Sequence, residues 1–199
     1  VAFQLFKRLN CIGGGEDACD RCGPCRKLSA DMETSHADVP DDEIAFSFAD
    51  LVVLRPEKSG IKIDKVRGVT RRVQYAPVEG RWKCILVRDA HKLNEAAANA
   101  LLKTLEEPPP QTLFVLVTAA AHLLLPTIVS RCQPVRFGGL TRDEIAHHLM
   151  ERAAIEPALA TSAAAMAGGS IGRALDLVQN PIVQQRGEWL RDVQALADG

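Results

Sequence analysis

Two short apolar segments, separated by one strongly helical segment, constrain the fold of this chain more than any other feature. Residues 83–88 (KCILVR) and 112–119 (TLFVLVTA) have the length and composition of buried strands. Residues 93–107 (LNEAAANALLKTLEE) are rich in helix formers, with Asn94 as the expected cap and prolines 108–110 as the stop. Strands joined by a helix usually lie parallel in one sheet. The sequence therefore predicts an α/β fold with a parallel, doubly wound sheet.

Further patterns extend the chain on both sides of this unit. They predict a helix at residues 1–10, a polar, turn-rich segment at 28–44, a strand at 48–56, a short strand and a helix at 61–77 with Asp64 as N-cap, a turn and short helix at 122–132, and a last strand at 133–137. After Gly138 and Gly139 the patterns are helical only, beginning with Thr141 and Glu144 as a capping box. We therefore expect an α/β domain at residues 1–137, a small helical domain at 138–180 and the start of a further helical segment at 181–199.

The composition is that of a globular protein and excludes several classes. Of 199 residues, 47% are hydrophobic and 25% are charged, which fits neither a disordered chain nor a membrane protein. No apolar run approaches the ~20 residues of a membrane span, and no secretory signal opens the chain. The net charge of −1 gives no overall attraction to nucleic acid. Because the chain opens at Val1 within a helical pattern, we expect further sequence upstream.

Four of the six cysteines form a cluster with the spacing of a metal site. Cys11, Cys19, Cys22 and Cys25 lie in CIGGGEDACDRCGPC, a C-x7-C-x2-C-x2-C pattern. Each C-x2-C step lets two thiolates face one centre, and the glycines permit the tight turns. Four thiolates match the tetrahedral preference of Zn²⁺ and leave no open position, so we expect a structural zinc site. Reduced loop thiols and a C-x2-C redox pair are the alternatives.

A long block of the sequence resembles bacterial clamp-loader subunits of the AAA+ class. It runs through residues 94–137 and includes ALLKTLEEPP, the apolar segment that follows, and the SRC tripeptide at 130–132. Residues 61–94 resemble the same family, and the similarity extends from residue 1 to about 179. The resemblance implies an AAA+, P-loop NTPase-like sheet domain with a zinc module at residues 11–25, followed by a helical lid and the start of a collar. Both the gamma/tau and the delta-prime subunits of DNA polymerase III carry the zinc loop and the SRC motif.

The residues after the first predicted buried strand separate the two types of clamp-loader subunit. Gamma-type subunits carry an Asp-Glu pair there, and the Glu polarises the attacking water. This chain has Asp89 and Ala90 instead. No G-x4-G-K-[ST] phosphate loop occurs in the sequence; in the family it would lie ahead of the helix that starts at Val1. The resemblance therefore implies a delta-prime-type subunit without ATPase activity of its own, in which Asp89 is either a remnant of the metal site or a helix-capping acid.

Arg131 of the SRC motif is the candidate catalytic residue. In clamp loaders this arginine reaches across a subunit boundary to the ATP of the neighbouring subunit, where a guanidinium stabilises charge on the phosphoryl oxygens. A solvated or salt-bridged surface arginine is the alternative. Thr118 and Arg173 stand where the family has nucleotide-sensing groups; in a subunit that binds no nucleotide they would keep structural roles only.

The resemblance also implies partners and a location. A delta-prime-type subunit joins gamma/tau and delta subunits in a ring-like pentamer and helps to load the sliding clamp onto primer–template DNA. It would act in the cytoplasm, away from membranes, as part of the DNA-directed DNA polymerase holoenzyme. One alternative is an active gamma/tau-type ATPase, against which Asp89-Ala90 argues. The other is a zinc-dependent DNA-binding module built on RRVQY together with Lys62, Lys65 and Arg67.

Overall fold

A computed structural model of the chain describes residues 1–36, 46–57 and 60–180. The α-helices in these ranges are α1 (Ala2–Asn10), α2 (Gly23–His36), α3 (Ile63–Arg72), α4 (Glu95–Glu106), α5 (Pro126–Val129), α6 (Arg142–Ala153), α7 (Pro157–Met166) and α8 (Ile171–Gln179). The strands are β1 (Leu51–Leu54), β2 (Lys83–Val87) and β3 (Thr112–Leu116). The chain divides into two compact units between Pro134 and Val135. The helical segment predicted at 181–199 lies outside the described residues.

The three described strands form one parallel sheet in the order β1-β2-β3. Leu51 pairs with Cys84, and Lys83 pairs with Thr112. Every residue of β2 is buried, as a strand between two neighbours and two helical layers requires. The sequence predicts full burial of β3 as well, but four of its five residues are half-buried because β3 lies at the edge of the described sheet. The predicted α/β class with a parallel sheet is confirmed.

Alternate residues of β2 belong to two apolar cores, one on each face of the sheet. Ile85 and Val87 pack with residues of α3 and α4, including Val66 and Leu101. Cys84 and Leu86 pack with residues of α1 and α2. The helices therefore cover both faces, which is the doubly wound arrangement that the sequence predicts.

Three local predictions are wrong, each for a physical reason. Residues 28–36 belong to α2 rather than to a turn-rich segment, because Leu28 is buried in the core and the buried Asp31 carboxylate accepts the backbone N–H groups of Ser47 and Phe48 at 2.7 and 2.8 Å. Asp64 is not the N-cap of α3; Lys62 occupies that position, and the Asp64 carboxylate lies in the first turn, where it favours the helix dipole. Residues 133–137 form no strand, since their proline cannot donate to a ladder and no described strand pairs with them.

Two helices begin at the caps that the sequence predicts. The Asn94 side chain accepts the Ala97 N–H at 2.8 Å, so α4 starts directly after Asn94. Thr141 and Glu144 form the predicted capping box: Thr141 Oγ1 accepts the Glu144 N–H at 3.2 Å, and Glu144 Oε2 accepts the Thr141 N–H at 2.8 Å. Each cap satisfies N–H groups that the first helical turn leaves unpaired.

Two buried polar side chains fix the connection that enters β2. The Asp50 carboxylate is buried and accepts the backbone N–H groups of residues 78–80 at 2.6 to 2.8 Å. Asn10, at the end of α1, is fully buried; its Oδ1 accepts the N–H groups of residues 81 and 82 at 2.8 and 2.9 Å. Its Nδ2 donates to the Phe6 carbonyl at 3.1 Å. These contacts tie α1 and the start of β1 to the start of β2.

The described part of the second unit, residues 135–180, contains three helices, α6 to α8. Its core combines Ile145 and Leu149 of α6 with Val178 of α8 and a set of buried alanines. The alanines let the helices approach closely, because a methyl side chain fills little space between them. Within the residues that the structure describes, no helix has both the length and the apolar character needed to cross a membrane.

Candidate metal centre and candidate arginine site

The four clustered cysteines converge in the structure as their spacing predicts. The Sγ atoms of Cys11, Cys19, Cys22 and Cys25 all lie within 4.8 Å of one another. Four sulfurs bound tetrahedrally at ~2.3 Å would lie about 3.8 Å apart. A small contraction of the loop thus suffices for coordination. The donor set and its geometry fit a tetrahedral metal ion.

Backbone N–H groups surround these sulfurs. The N–H groups of Gly13 and Cys19 each donate to Cys11 Sγ at 3.4 Å, and the Cys22 N–H donates to Cys19 Sγ at 3.3 Å. Such contacts stabilise thiolates, which are the metal-binding form of cysteine. Gly13 is required by space: a Cβ there would lie 2.8 Å from Cys19 Sγ. The backbone of the loop therefore lies close against the cysteine sulfurs, both through its N–H groups and at Gly13.

The thiols of the cluster differ in acidity. Hydrogen bonds from the Arg21 and Cys22 N–H groups lower the pKa of Cys19 from 9.0 to about 6. Burial raises the pKa of Cys25 to about 12, and its contact with the Cys22 thiol acts in the same direction. A bound cation would reverse the effect of burial on Cys25, because its charge favours the thiolate. The difference in acidity follows burial: Cys25 is buried, whereas Cys19 is half-buried.

Two cationic side chains of α1 hold the cysteine loop against the sheet domain. Lys7 is only 4% exposed, and its Nζ lies 2.5 Å from Asp20 Oδ1 and 3.3 Å from Ser29 Oγ. Arg8 Nε donates to the Glu16 carbonyl. The sequence does not reveal these anchors, since a Lys-Arg pair at a helix end is ordinarily solvated. They link the candidate metal centre directly to the first helix.

The carboxyl end of β2 carries Asp89 in an uncommon backbone conformation. Its φ of 47° and ψ of 49° place it in the left-handed region, which few non-glycine residues occupy. Asp89 precedes a 3₁₀ turn, but its side chain makes no capping hydrogen bond, so it is not the capping acid that the sequence allows for. The next residue, Ala90, is fully buried. The position thus presents a methyl group inside the core and no acid beside Asp89.

The two candidate nucleotide-sensing residues make local contacts. Thr118 Oγ1 lies 3.0 Å from His91 Nδ1 and accepts the Ala120 N–H at 3.0 Å, which joins the ends of β2 and β3. Arg173 lies in the first turn of α8, where its backbone N–H donates to Ser170 Oγ at 3.3 Å. The contacts of Thr118 are made by its side chain, whereas this contact of Arg173 is made by its backbone.

Arg131, directly after α5 and Ser130, is held on three sides. Its Nε donates to Glu106 Oε1 at 2.8 Å, and its Nη2 donates to the same oxygen. Its Nη1 donates to the Thr127 carbonyl at 2.9 Å and lies 3.3 Å from Ser130 Oγ. The Arg131 side chain is 29% exposed and that of Glu106 is 47% exposed. The guanidinium therefore lies at the surface in a defined orientation and forms a salt bridge within the chain.

Comparison with known proteins decides the family. Residues 1–141 match the family model described as DNA polymerase III, delta subunit. The chain belongs to this family. This member of the DNA polymerase III family is 35% identical over 189 residues to subunit delta' of Haemophilus influenzae, a match that covers 94% of the chain and 53% of that protein. It is 34% identical over 194 residues to subunit tau of Escherichia coli strain K12, covering 94% of the chain and 28% of that protein.

The DNA polymerase III relatives are longer than the chain and include two kinds of subunit. The chain spans 50% of the Bacillus subtilis delta' subunit at 28% identity and 31% of its tau subunit at 30% identity. A solved gamma subunit-related protein from Thermotoga maritima aligns with a TM-score of 0.48 and 32% identity, over 61% of this chain and 40% of that one. Because delta' and tau relatives match at similar identity, only individual residues can separate the two kinds.

Proposed function

We propose that this DNA polymerase III family member is a delta-prime-type clamp-loader subunit that does not hydrolyse ATP and supplies Arg131 to the ATP site of a neighbouring gamma/tau subunit. The observation that carries the proposal is Ala90. Hydrolysis needs a group that polarises the attacking water, and a buried methyl beside Asp89 cannot do so. The active gamma/tau-type ATPase is therefore the less favoured alternative.

Arg131 has the properties that action on a neighbour's nucleotide requires. A guanidinium is planar and permanently charged, and it stabilises the charge that develops on phosphoryl oxygens. The Arg131 side chain is partly exposed, so that an approaching subunit can reach it. Its contacts with Glu106, Thr127 and Ser130 hold a long, flexible side chain in one place. This arrangement supports the proposed role in trans.

We propose Zn²⁺ as the ion of the cysteine cluster, because four thiolates within 4.8 Å of one another match its preference. When bound, it would supply a four-way cross-link without an open coordination position. Cys11, Cys19, Cys22 and Cys25 would be its ligands, and Lys7 and Arg8 would hold the cross-linked loop on α1. The centre would then be structural, since the loop has few apolar residues to stabilise it.

The remaining parts of the proposal concern organisation and partners. Residues 1–137 would form the AAA+ domain, 138–180 the lid and 181–199 the start of the collar. The subunit would assemble with gamma/tau and delta subunits and act on the sliding clamp and primer–template DNA through the assembled complex. As a replication protein of this family it would act in the cytoplasm, within the DNA-directed DNA polymerase holoenzyme.

Arg131→Ala in the reconstituted complex tests the proposal. An arginine finger contributes ~10³–10⁵-fold to the hydrolysis rate, so single-turnover hydrolysis at the adjacent site should fall by that order while assembly is retained. Arg136→Ala serves as the matched control, because it removes an exposed arginine that follows Arg131 by five positions in the sequence. Unchanged turnover with Arg131→Ala would remove the role assigned to this residue.

A further inference from the structure

The salt bridge between Arg131 and Glu106 joins two elements that are distant in sequence. Glu106 is the last residue of α4, and Arg131 lies 25 residues further on, after α5. Both Nε and Nη2 of the guanidinium donate to a single carboxylate oxygen, Glu106 Oε1. The Glu106 carboxylate thus occupies the edge of the guanidinium that is formed by Nε and Nη2.

The location of Glu106 is unfavourable for a carboxylate unless it has a cationic partner. The C-terminal end of a helix carries partial negative charge, which repels an acidic side chain there. Arg131 supplies the compensating charge, and Glu106 remains 47% exposed. Glu107, the next residue, is an exposed acid at the C-cap of the same helix. The two acids therefore differ chiefly in that Glu106 contacts Arg131.

The contacts of Arg131 leave one donor for a phosphate oxygen. A guanidinium has five N–H groups: one on Nε and two on each Nη. Glu106 accepts from Nε and Nη2, while the Thr127 carbonyl and Ser130 Oγ accept from Nη1. Four N–H groups are thereby engaged within the chain. The fifth, on Nη2, is adjacent to the edge that Glu106 holds.

We propose that Glu106 is the positioning residue of Arg131: it fixes the guanidinium so that the remaining Nη2 N–H is offered to the phosphate of the neighbouring subunit. This inference rests on the proposed function and deepens it. Arginine loses conformational freedom when it engages a distant group, and a side chain already held in place loses less on engagement. Glu106 acts through Arg131 and does not itself contact the nucleotide.

Glu106→Ala in the reconstituted full-chain complex tests the inference. Misplacement of a reacting group by about 1 Å can cost on the order of 100-fold, so kcat at the adjacent site should fall about 10- to 100-fold. The KM for ATP should change little, because the interaction matters in the transition state. Glu106→Gln keeps an acceptor oxygen and should restore part of the rate. A kcat that is unchanged or raised with Glu106→Ala would overturn the inference.

Two controls separate positioning from other effects. Glu107→Ala removes the neighbouring acid and should leave kcat unchanged; an equal fall with both variants would mean that Glu106 has no specific role. In the Arg131→Ala background, Glu106→Ala should not lower kcat further, because the side chain that Glu106 positions is already absent. A further fall in that double variant would also overturn the inference.

The same variants distinguish failure of this inference from failure of the proposed function. If Arg131→Ala itself leaves hydrolysis unchanged, the role of Arg131 in trans is refuted. If Arg131→Ala reduces hydrolysis and Glu106→Ala does not, only the positioning role is refuted. A direct readout needs no ATPase assay: the ¹⁵Nε–¹H signal of Arg131 in the isolated chain should exchange faster with solvent in Glu106→Ala than in Glu107→Ala. Equal exchange rates in the two variants would contradict the proposal that Glu106 fixes the Arg131 guanidinium.

Discussion

Replacement of Asn10 by alanine tests whether the Asn10 side chain stabilises the connection into β2 through its hydrogen bonds. Asn10 Oδ1 accepts the backbone N–H groups of Arg81 and Trp82 at 2.8 and 2.9 Å. Alanine leaves both donors without this acceptor, and a donor left unsatisfied costs about 1–3 kcal/mol when it is buried. Because Arg81 is exposed and Trp82 half-buried, water can replace part of the loss. We expect the free energy of unfolding of the first unit to fall by about 2–4 kcal/mol.

Urea unfolding followed by circular dichroism measures this change, provided that the slope of the transition stays constant. Asn99→Ala is the matched control: Asn99 is exposed within α4, and alanine is the better helix former there. That control should leave stability unchanged or raise it slightly. A loss below about 1 kcal/mol for Asn10→Ala would contradict the stabilising role of Asn10, because the variant also removes the buried hydrogen bond from Asn10 Nδ2 to the Phe6 carbonyl, where water cannot readily substitute.

Three further predictions concern the metal centre, a buried thiol and a helix cap. Cys22→Ser should lower bound zinc below one equivalent per chain in metal analysis, whereas Cys132→Ser should not; absence of zinc from the unmutated protein would contradict the assignment. Burial raises the pKa of Cys84 from 9.0 to about 12, so its thiolate fraction at pH 8 is about 1000-fold smaller than that of an ordinary thiol. Mass spectrometry after iodoacetamide treatment should find Cys84 labelled far more slowly in the native protein than in urea, and equal rates would refute this. Thr141→Ala removes a capping box and should cost the second unit about 1 kcal/mol, measured by thermal unfolding; an unchanged midpoint would show that the box adds nothing.

The sequence predicts those parts of the fold that follow from local patterns. The apolar segment at β2 and the helix formers of α4 specify their elements directly, and Asn94 marks the start of α4. The cysteine spacing likewise predicts the cluster, because two C-x2-C steps leave the sulfurs few other directions. In each case neighbouring residues contain the information.

Other features depend on contacts between distant residues, which local patterns do not contain. Asn10 and Asp50 look like ordinary polar residues in the sequence. In the structure both are buried and accept hydrogen bonds from the connection into β2, which lies about 70 and 30 positions further along the chain. The contact of Lys7 with the cysteine loop is of the same kind. Glu106 is partly predictable from the sequence, since an acid at a helix C-terminus interacts unfavourably with the helix dipole and indicates a cationic partner. The sequence does not specify that this partner is Arg131.

ATP hydrolysis by the purified full-length protein alone tests the central claim most directly. With Ala90 in place of the acid that would polarise the attacking water, we predict no turnover above the uncatalysed background, with or without Mg²⁺. Steady hydrolysis that Asp89→Ala abolishes would contradict the account, because it would show that this chain completes an ATPase site of its own.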